Sequence, residues 1–303
     1  MSRRITYIAI AFLTLVSCEK FREGTINYVD FPEHETSIST SLIVSDVATE
    51  LHAYVSKTAS ISNVNGPQVV SNAVVSLKDN EGNVLYTMTN EDFDGEFYKV
   101  PFSGTENFPE GDLHLEVDVP DFELVTASTR MPSGTEFEFT FEESADTAMI
   151  WGWEYVRDSY EFDFENNLEE DDAFLIFFEG KVEDEFSGEI GDWEPLWAEG
   201  SIDSRITSIW IYGGILISDE SVRDDPTGLH GINLFVIDED YINVVEKRVR
   251  VESLSDELRR YYISLQEFED NQGSIFAEPD LIYSNVSSGF GCFGMYKYEV
   301  FDL

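Results

Sequence analysis

Apolar and polar residues alternate with a period of two through much of this chain, and that pattern restricts it to extended structure. Phe137, Phe139 and Phe141 alternate with Glu138 and Thr140, and Trp151, Trp153 and Tyr155 repeat the spacing. Successive side chains of a strand point to opposite faces, so each triplet sets its rings on one side of a sheet. Shorter runs of the same character occupy residues 41–44, 51–55, 73–77, 84–88, 96–100, 113–119 and 127–132, separated by Gly, Asn, Asp and Pro. Between the third and fourth runs lies a polar turn, residues 78–83, with Gly82 where a positive φ is needed; the two runs are therefore expected to form a hairpin.

The predicted fold class is all-β. The strand-like runs over residues 32–132 predict an immunoglobulin-like or transthyretin-like β-sandwich. After Pro132, Ser133 and Gly134, residues 133–303 predict a second β-sandwich or barrel-like domain, with central strands at 174–178, 206–217 and 231–237. One helix is expected at about 255–267. Ser255 is a good N-cap, Asp256 and Glu257 suit the positive end of the helix dipole, and Leu258, Tyr261, Tyr262 and Leu265 make one apolar stripe. Arg259 and Arg260 beside these acids are expected to pair with carboxylates.

The first residues carry a different message. Arg3 and Arg4 precede an apolar stretch from Ile5 to Val16 that is too short to span a bilayer, which takes about 20 residues, and matches a signal-peptide core of about 7–15. Leu15, Val16, Ser17 and Cys18 then have the form of a lipobox. Residues 1–17 are thus expected to be removed, Cys18 to carry lipid and residues 18–31 to form a tether; a plain secretory peptide with an incidental cysteine is the alternative. Glu19, Lys20, Phe21, Arg22 and Glu23 only partly match the acidic tract that resembles a lipoprotein surface-export signal, so which side of its membrane carries the body stays open. With Cys18 lipidated, Cys292 has no disulfide partner. Its apolar neighbours favour a buried, inert thiol over a nucleophile, and the four histidines, His34, His52, His114 and His230, offer it no motif.

Loss of Arg3 and Arg4 with the leader lowers the formal charge from −43 to −45. Hydrophobic residues at 42% and aromatics at 14% still supply a large core, which excludes the disorder that such a charge otherwise signals. A surface this acidic excludes nucleic acid as a partner and disfavours anionic lipid.

A longer stretch from Phe276 to Gly294 combines Pro279, then Tyr283, Ser284, Asn285 and Val286, then Gly289-Phe290-Gly291 and Phe293-Gly294. With the lipobox, the strand around Asn72 to Leu77 and the helix before it, this chain resembles the lipoprotein family called domain of unknown function 4249, found in Bacteroidota. The likeness extends over nearly all of the mature chain; Cys292 stands where that family is expected to have an aliphatic or aromatic residue. The resemblance implies an outer-membrane lipoprotein, often encoded beside a TonB-dependent receptor, and carries no catalytic residues with it. Independently of it, the glycines are expected to allow left-handed or closely packed backbone, with the phenylalanines filling the core beside the helix. A phosphate loop would need a lysine and a following helix that are missing here.

The expected function is that of an accessory or ligand-capturing partner of a TonB-dependent transporter in the outer membrane. Candidate ligand contacts are Trp193 and Trp197, which flank Glu194 and Pro195 in what reads as a loop; core packing is the other reading for both. Trp151, Trp153, Trp210 and Tyr212, at strand spacing, read as core. The alternative is a cell-surface hydrolase of glycan or peptide using paired carboxylates such as Glu169, Glu170, Asp171 and Asp172. With 61 acids such runs arise from composition, and no nucleophile elbow, zinc helix or Cys/His set accompanies them. No catalytic residue, cofactor or metal is therefore assigned. Asp163, Glu165 and Asn166, or Asp238, Glu239 and Asp240, offer oxygen ligands without the spacing of a calcium loop.

Overall fold

The computed structural model describes residues 34–60, 66–104, 108, 111–132, 137–150, 153–164, 173–183, 187–196, 198–201, 210–211, 214–218, 234–238, 243–271 and 281–303. In chain order the strands are β1 (Ile38–Ser45), β2 (Glu50–Lys57), β3 (Gln68–Val69), β4 (Val74–Lys78), β5 (Val84–Met88) and β6 (Tyr98–Pro101). Then come β7 (Asp112–Asp118), β8 (Val125–Arg130), β9 (Phe137–Ile150), β10 (Trp153–Phe164), β11 (Ala173–Glu183) and β12 (Ile190–Pro195). The final third holds β13 (Ala198–Ser201), β14 (Trp210–Ile211), β15 (Gly214–Ser218), β16 (Leu234–Asp238), β17 (Asn243–Leu254), helix α1 (Asp256–Asn271) and β18 (Gly289–Asp302). The fold is all-β with one α-helix among the described residues, as the alternation predicts.

The described strands form three sheets. A ten-stranded sheet runs β14-β15-β11-β17-β18-β1-β2-β3, with β12 also pairing β11 and β6 also pairing β2. Two four-stranded sheets have the orders β5-β4-β7-β8 and β13-β16-β10-β9. The ten-stranded sheet draws strands from both sides of Pro132. It is joined by the only parallel pairing among the described strands: β1 beside β18, with Ile38 opposite Gly289 and Leu42 opposite Phe293.

The sandwich core lies between β1, β2 and β18 on one side and the β5-β4-β7-β8 sheet on the other. Leu42, Val44, Leu51 and Val55 meet Val75, Leu77, Leu115 and Val117, and each is at most 1% exposed. Phe293 and Met295 of β18 complete this core. Fully burying side chains of this size contributes about 1.5–3 kcal/mol each. The predicted hairpin is β4–β5, and Gly82 takes φ +85° in its turn. Tyr98 is fully buried, donating its hydroxyl to the Val70 carbonyl at 2.7 Å and accepting from the Ala73 amide at 2.9 Å.

Helix α1 covers the other face of β18. The Ser255 hydroxyl accepts from the Leu258 amide and from the Met295 amide, so the cap also fastens the helix start to the sheet. Leu258 packs with Leu254, Cys292, Leu175 and Phe177. Gly294 lies directly beneath it, where an added Cβ would stand 2.8 Å from Leu258 Cβ. Gly289 is crowded the same way, 2.5 Å from the Ile38 carbonyl oxygen, and a Cβ on Gly291, at φ +123°, would overlap the Thr40 carbonyl oxygen. The glycines therefore act by close approach, as expected, but the phenylalanines do not sit beside the helix. Side chains alternate along β18, so Phe293 points into the sandwich while Cys292 faces α1, and Phe290 is 56% exposed.

Gly291→Ala is expected to destabilise the fold by more than about 3 kcal/mol, because both a forbidden φ and a backbone overlap oppose the methyl. Gly95→Ala, at φ +114° with open space around it, should cost only about 1–2 kcal/mol. Denaturant unfolding of the two variants checks the order; equal losses would show that β1 can move away from β18.

Candidate functional site

Beyond the part of the ten-stranded sheet that α1 covers, the same face turns from apolar to charged. On β17, Leu254 belongs to the core under the helix, and the next residues on that face are Glu252, Arg250 and Arg248. On β11, Leu175 and Phe177 are followed by Glu179 and Lys181. The antiparallel register sets Leu175 opposite Glu252, Phe177 opposite Arg250 and Glu179 opposite Arg248. Burial is deep, with Glu179 5% and Glu252 6% exposed.

A charge in such a place needs a partner with good hydrogen-bond geometry. Glu179 has two: Arg248 Nε donates to Oε2 and Arg250 Nε to Oε1, each at 2.7 Å. Arg250 also reaches Glu252 through Nη1. The Arg250 guanidinium stacks 3.7 Å from the Phe177 ring centroid, which desolvates it further. Two carboxylates thus share one guanidinium. Burial raises the Glu252 carboxyl, the Arg250 charge pulls it back and the neighbouring Glu179 charge raises it again; burial prevails, and the group is pushed up to about 7.

Trp193 lies at the edge of this quartet, half-buried. The loop expected around it is a strand, β12, in which Trp193 pairs with Lys181 and Pro195 with Glu179. Pro195 misleads the reading because an edge strand accepts a residue with no amide proton to donate. The indole is also occupied: Lys181 Nζ lies 4.8 Å and the Arg248 guanidinium 4.2 Å from a ring centroid. Sequence reasoning passes over the quartet itself. Its signal is the alternation of Arg248, Arg250 and Glu252 with Val249 and Val251, which sets cations on one face of a strand in an acidic chain.

Other sequence candidates divide. Cys292 is fully buried, and burial with the nearby Glu257 charge pushes its thiol up to about 12, so it is inert. Arg259 and Arg260 both pair with Asp256, at 2.6 and 2.8 Å. Cys18, Trp151, Trp197, Tyr212, Glu165, Asn166, Glu169, Glu170, Asp171, Asp172, Glu239 and Asp240 lie outside the described residues, as do the leader and tether. Asp163 falls within β10 and Asp238 ends β16. Among the described residues no three His, Cys, Asp or Glu side chains converge on a metal-sized site.

The distinctive segment before β18 is a latch. The Asn285 side chain works like a strand edge, accepting from the Phe293 amide at 3.0 Å and donating to the Phe293 carbonyl at 2.8 Å and to the Ser128 carbonyl of β8 at 3.0 Å. Ser284 accepts from the Gly291 amide, and Ser287 pairs with Thr126. The Tyr283 amide donates to Ser264 of α1 at 2.7 Å. Helix, sandwich edge and last strand are joined by consecutive residues.

Fold and site together define a β-sandwich protein with a helix-backed sheet and a buried ion-pair quartet. The protein-family profile described as Domain of unknown function (DUF4249) matches residues 34–301, and the chain belongs to that family. No curated protein matches it. Among solved structures, a Salmonella α2-macroglobulin variant aligns at 10% identity and a TM-score of 0.24 over 77% of this chain. That alignment spans only 14% of the α2-macroglobulin chain, and a likeness this weak carries no argument.

In the unfolded chain Glu252 titrates near the ordinary 4.5 and in the folded chain near 7, so the folded protein holds its proton more tightly. The stability it contributes is complete below pH 4.5 and is lost as pH rises through 7, a change of about 3 kcal/mol. Glu252→Gln should remove this slope. Comparing unfolding free energies of the two proteins between pH 4.5 and 8 checks it; parallel curves would detach the titration from Glu252.

Proposed function

We propose that this chain is an outer-membrane lipoprotein, held by lipid on Cys18 and acting as an accessory or ligand-capturing partner of a TonB-dependent transporter. The observation that carries the anchor is the series Arg3-Arg4, an apolar run to Val16, and Leu15-Val16-Ser17-Cys18 ahead of a folded body that begins near Thr36. No helix of the described residues is long and apolar enough to cross a membrane. A binding role in place of chemistry is supported by the state of the most polar buried cluster. Its guanidinium groups are already engaged by Glu179 and Glu252, and the buried Cys292 thiol donates to the Glu257 carbonyl.

The second reading, a cell-surface hydrolase of glycan or peptide, has one feature in its favour: burial pushes the Glu252 carboxyl up to about 7, the range in which a general acid works. Turnover of such a substrate by the purified protein, lost in Glu252→Gln with the fold intact, would establish it over the binding role.

Two measurements test the main reading. Cys18→Ala should leave the membrane fraction, and the mature wild-type N-terminus should carry diacylglycerol by mass spectrometry. A pull-down of the lipidated protein from native outer membranes should bring a TonB-dependent transporter in near-stoichiometric amount; recovery of the protein alone would end the accessory role.

A further inference from the structure

Exposed apolar side chains occur at several places on the surface, and five of them, among them the most exposed of all, lie at one pole of the N-terminal sandwich. Leu281 is 90% exposed, Phe290 56%, Leu124 49%, and Val69 and Ile282 39% each. The strand register places them together. Ile38, the first residue of β1, lies between Gly289 and Lys57, and Ser39 lies opposite Phe290. Ser56 pairs with Val69. Lys57 Nζ stands 5.0 Å from the ring of Phe122, two residues before Leu124, and Ser287 bridges Thr126, two residues after it. Leu281 and Ile282 lead into Ser284, whose hydroxyl accepts from the Gly291 amide at 3.1 Å.

The chain also enters the body at this pole, because β1 starts there. Residues 19–35, 17 in number, separate Cys18 from Thr36 and span at most roughly 60 Å even when fully extended. A lipid on Cys18 would therefore be joined to the body through this pole, where the tether runs into β1.

We infer that this pole is a lipid-contacting surface, with Leu124, Leu281, Ile282 and Phe290 entering the headgroup boundary of the bilayer that holds Cys18. The inference rests on the lipid-anchor reading and adds an orientation to it. Exposed Asp121 and Glu123 flank Leu124, so the contact is made by apolar burial and not by charge, and a zwitterionic bilayer suffices.

The test uses the full-length lipidated protein in phosphatidylcholine vesicles, with an environment-sensitive fluorophore on Phe290→Cys, Leu281→Cys or, at the far end of β1, Val47→Cys. Cys292 is fully buried and Cys18 blocked, so labelling is confined to the new thiol. Nitroxide-bearing lipid should quench the labels at 290 and 281 by at least twofold and leave the label at 47 unchanged. Equal quenching at all three positions overturns the inference, and so does a blue-shifted label at 290 that lipid does not quench, since a protein would then cover the pole. The intact mass is read separately: absence of diacylglycerol brings down the anchor and this inference with it, whereas the quenching pattern judges the pole alone.

Discussion

The structure depends on how closely two backbones approach each other where β1 lies beside the start of β18. Parallel strands ordinarily leave room for a Cβ on every residue. Here Gly289 and Gly291 press against the carbonyls of Ile38 and Thr40, and Gly294 admits Leu258 of the helix on the opposite side. That proximity lets one strand serve two cores: Phe293 and Met295 finish the sandwich, while Cys292 and Tyr296 belong to the layer under α1. Asn285 then closes the open edge of β18 with two hydrogen bonds to Phe293, in place of a neighbouring strand, and a third ties it to Ser128 of β8. Bulk at Gly289 or Gly291 would push β1 away from β18, and bulk at Gly294 would push the helix off the sheet.

Charge is managed by a similar economy of position. The chain carries 18 cations against 61 acids, so each cation has many possible partners, and the described ones are drawn into specific pairs. Lys78 meets Glu116, Lys99 meets Asp94, Arg130 meets Asp112 and Lys181 meets Glu246. These exposed or half-exposed pairs each contribute little. The Glu179–Arg248–Arg250–Glu252 group differs because its members are buried. Removing one member would leave an uncompensated charge in the sheet, so the group penalises any slip of β11 against β17 more than it adds to stability.

Much of this was legible from local pattern. Period-two alternation marks β1, β2, β4, β5, β7 and β8, Gly82 marks the hairpin turn, and Ser255 with the Leu258, Tyr261, Tyr262 stripe marks α1. Each of these signals is complete within a dozen residues. Pairing between distant strands leaves no such mark, so nothing in residues 38–45 announces that their neighbour is β18. Trp193 was misread as a loop residue for a related reason: acidic neighbours and Pro195 have a loop's composition, and only the pairing with Lys181 shows a strand. The ion quartet is half visible, since Arg248, Arg250 and Glu252 alternate within β17, but Glu179 joins them only across the β11–β17 register.

Placing β1 against β18 also sets an order of events. Ile38 and Gly289 are about 250 positions apart, so the first strand of the sandwich acquires its second neighbour only once that many further residues have become available. Closing so long a loop is slow compared with forming a hairpin such as β4–β5. A ribosome-bound chain that has not yet exposed β18 would hold its hairpins but lack the strand that supplies Phe293 and Met295. Such a chain holds an unfinished sandwich until residues 289–302 are free to pair with β1.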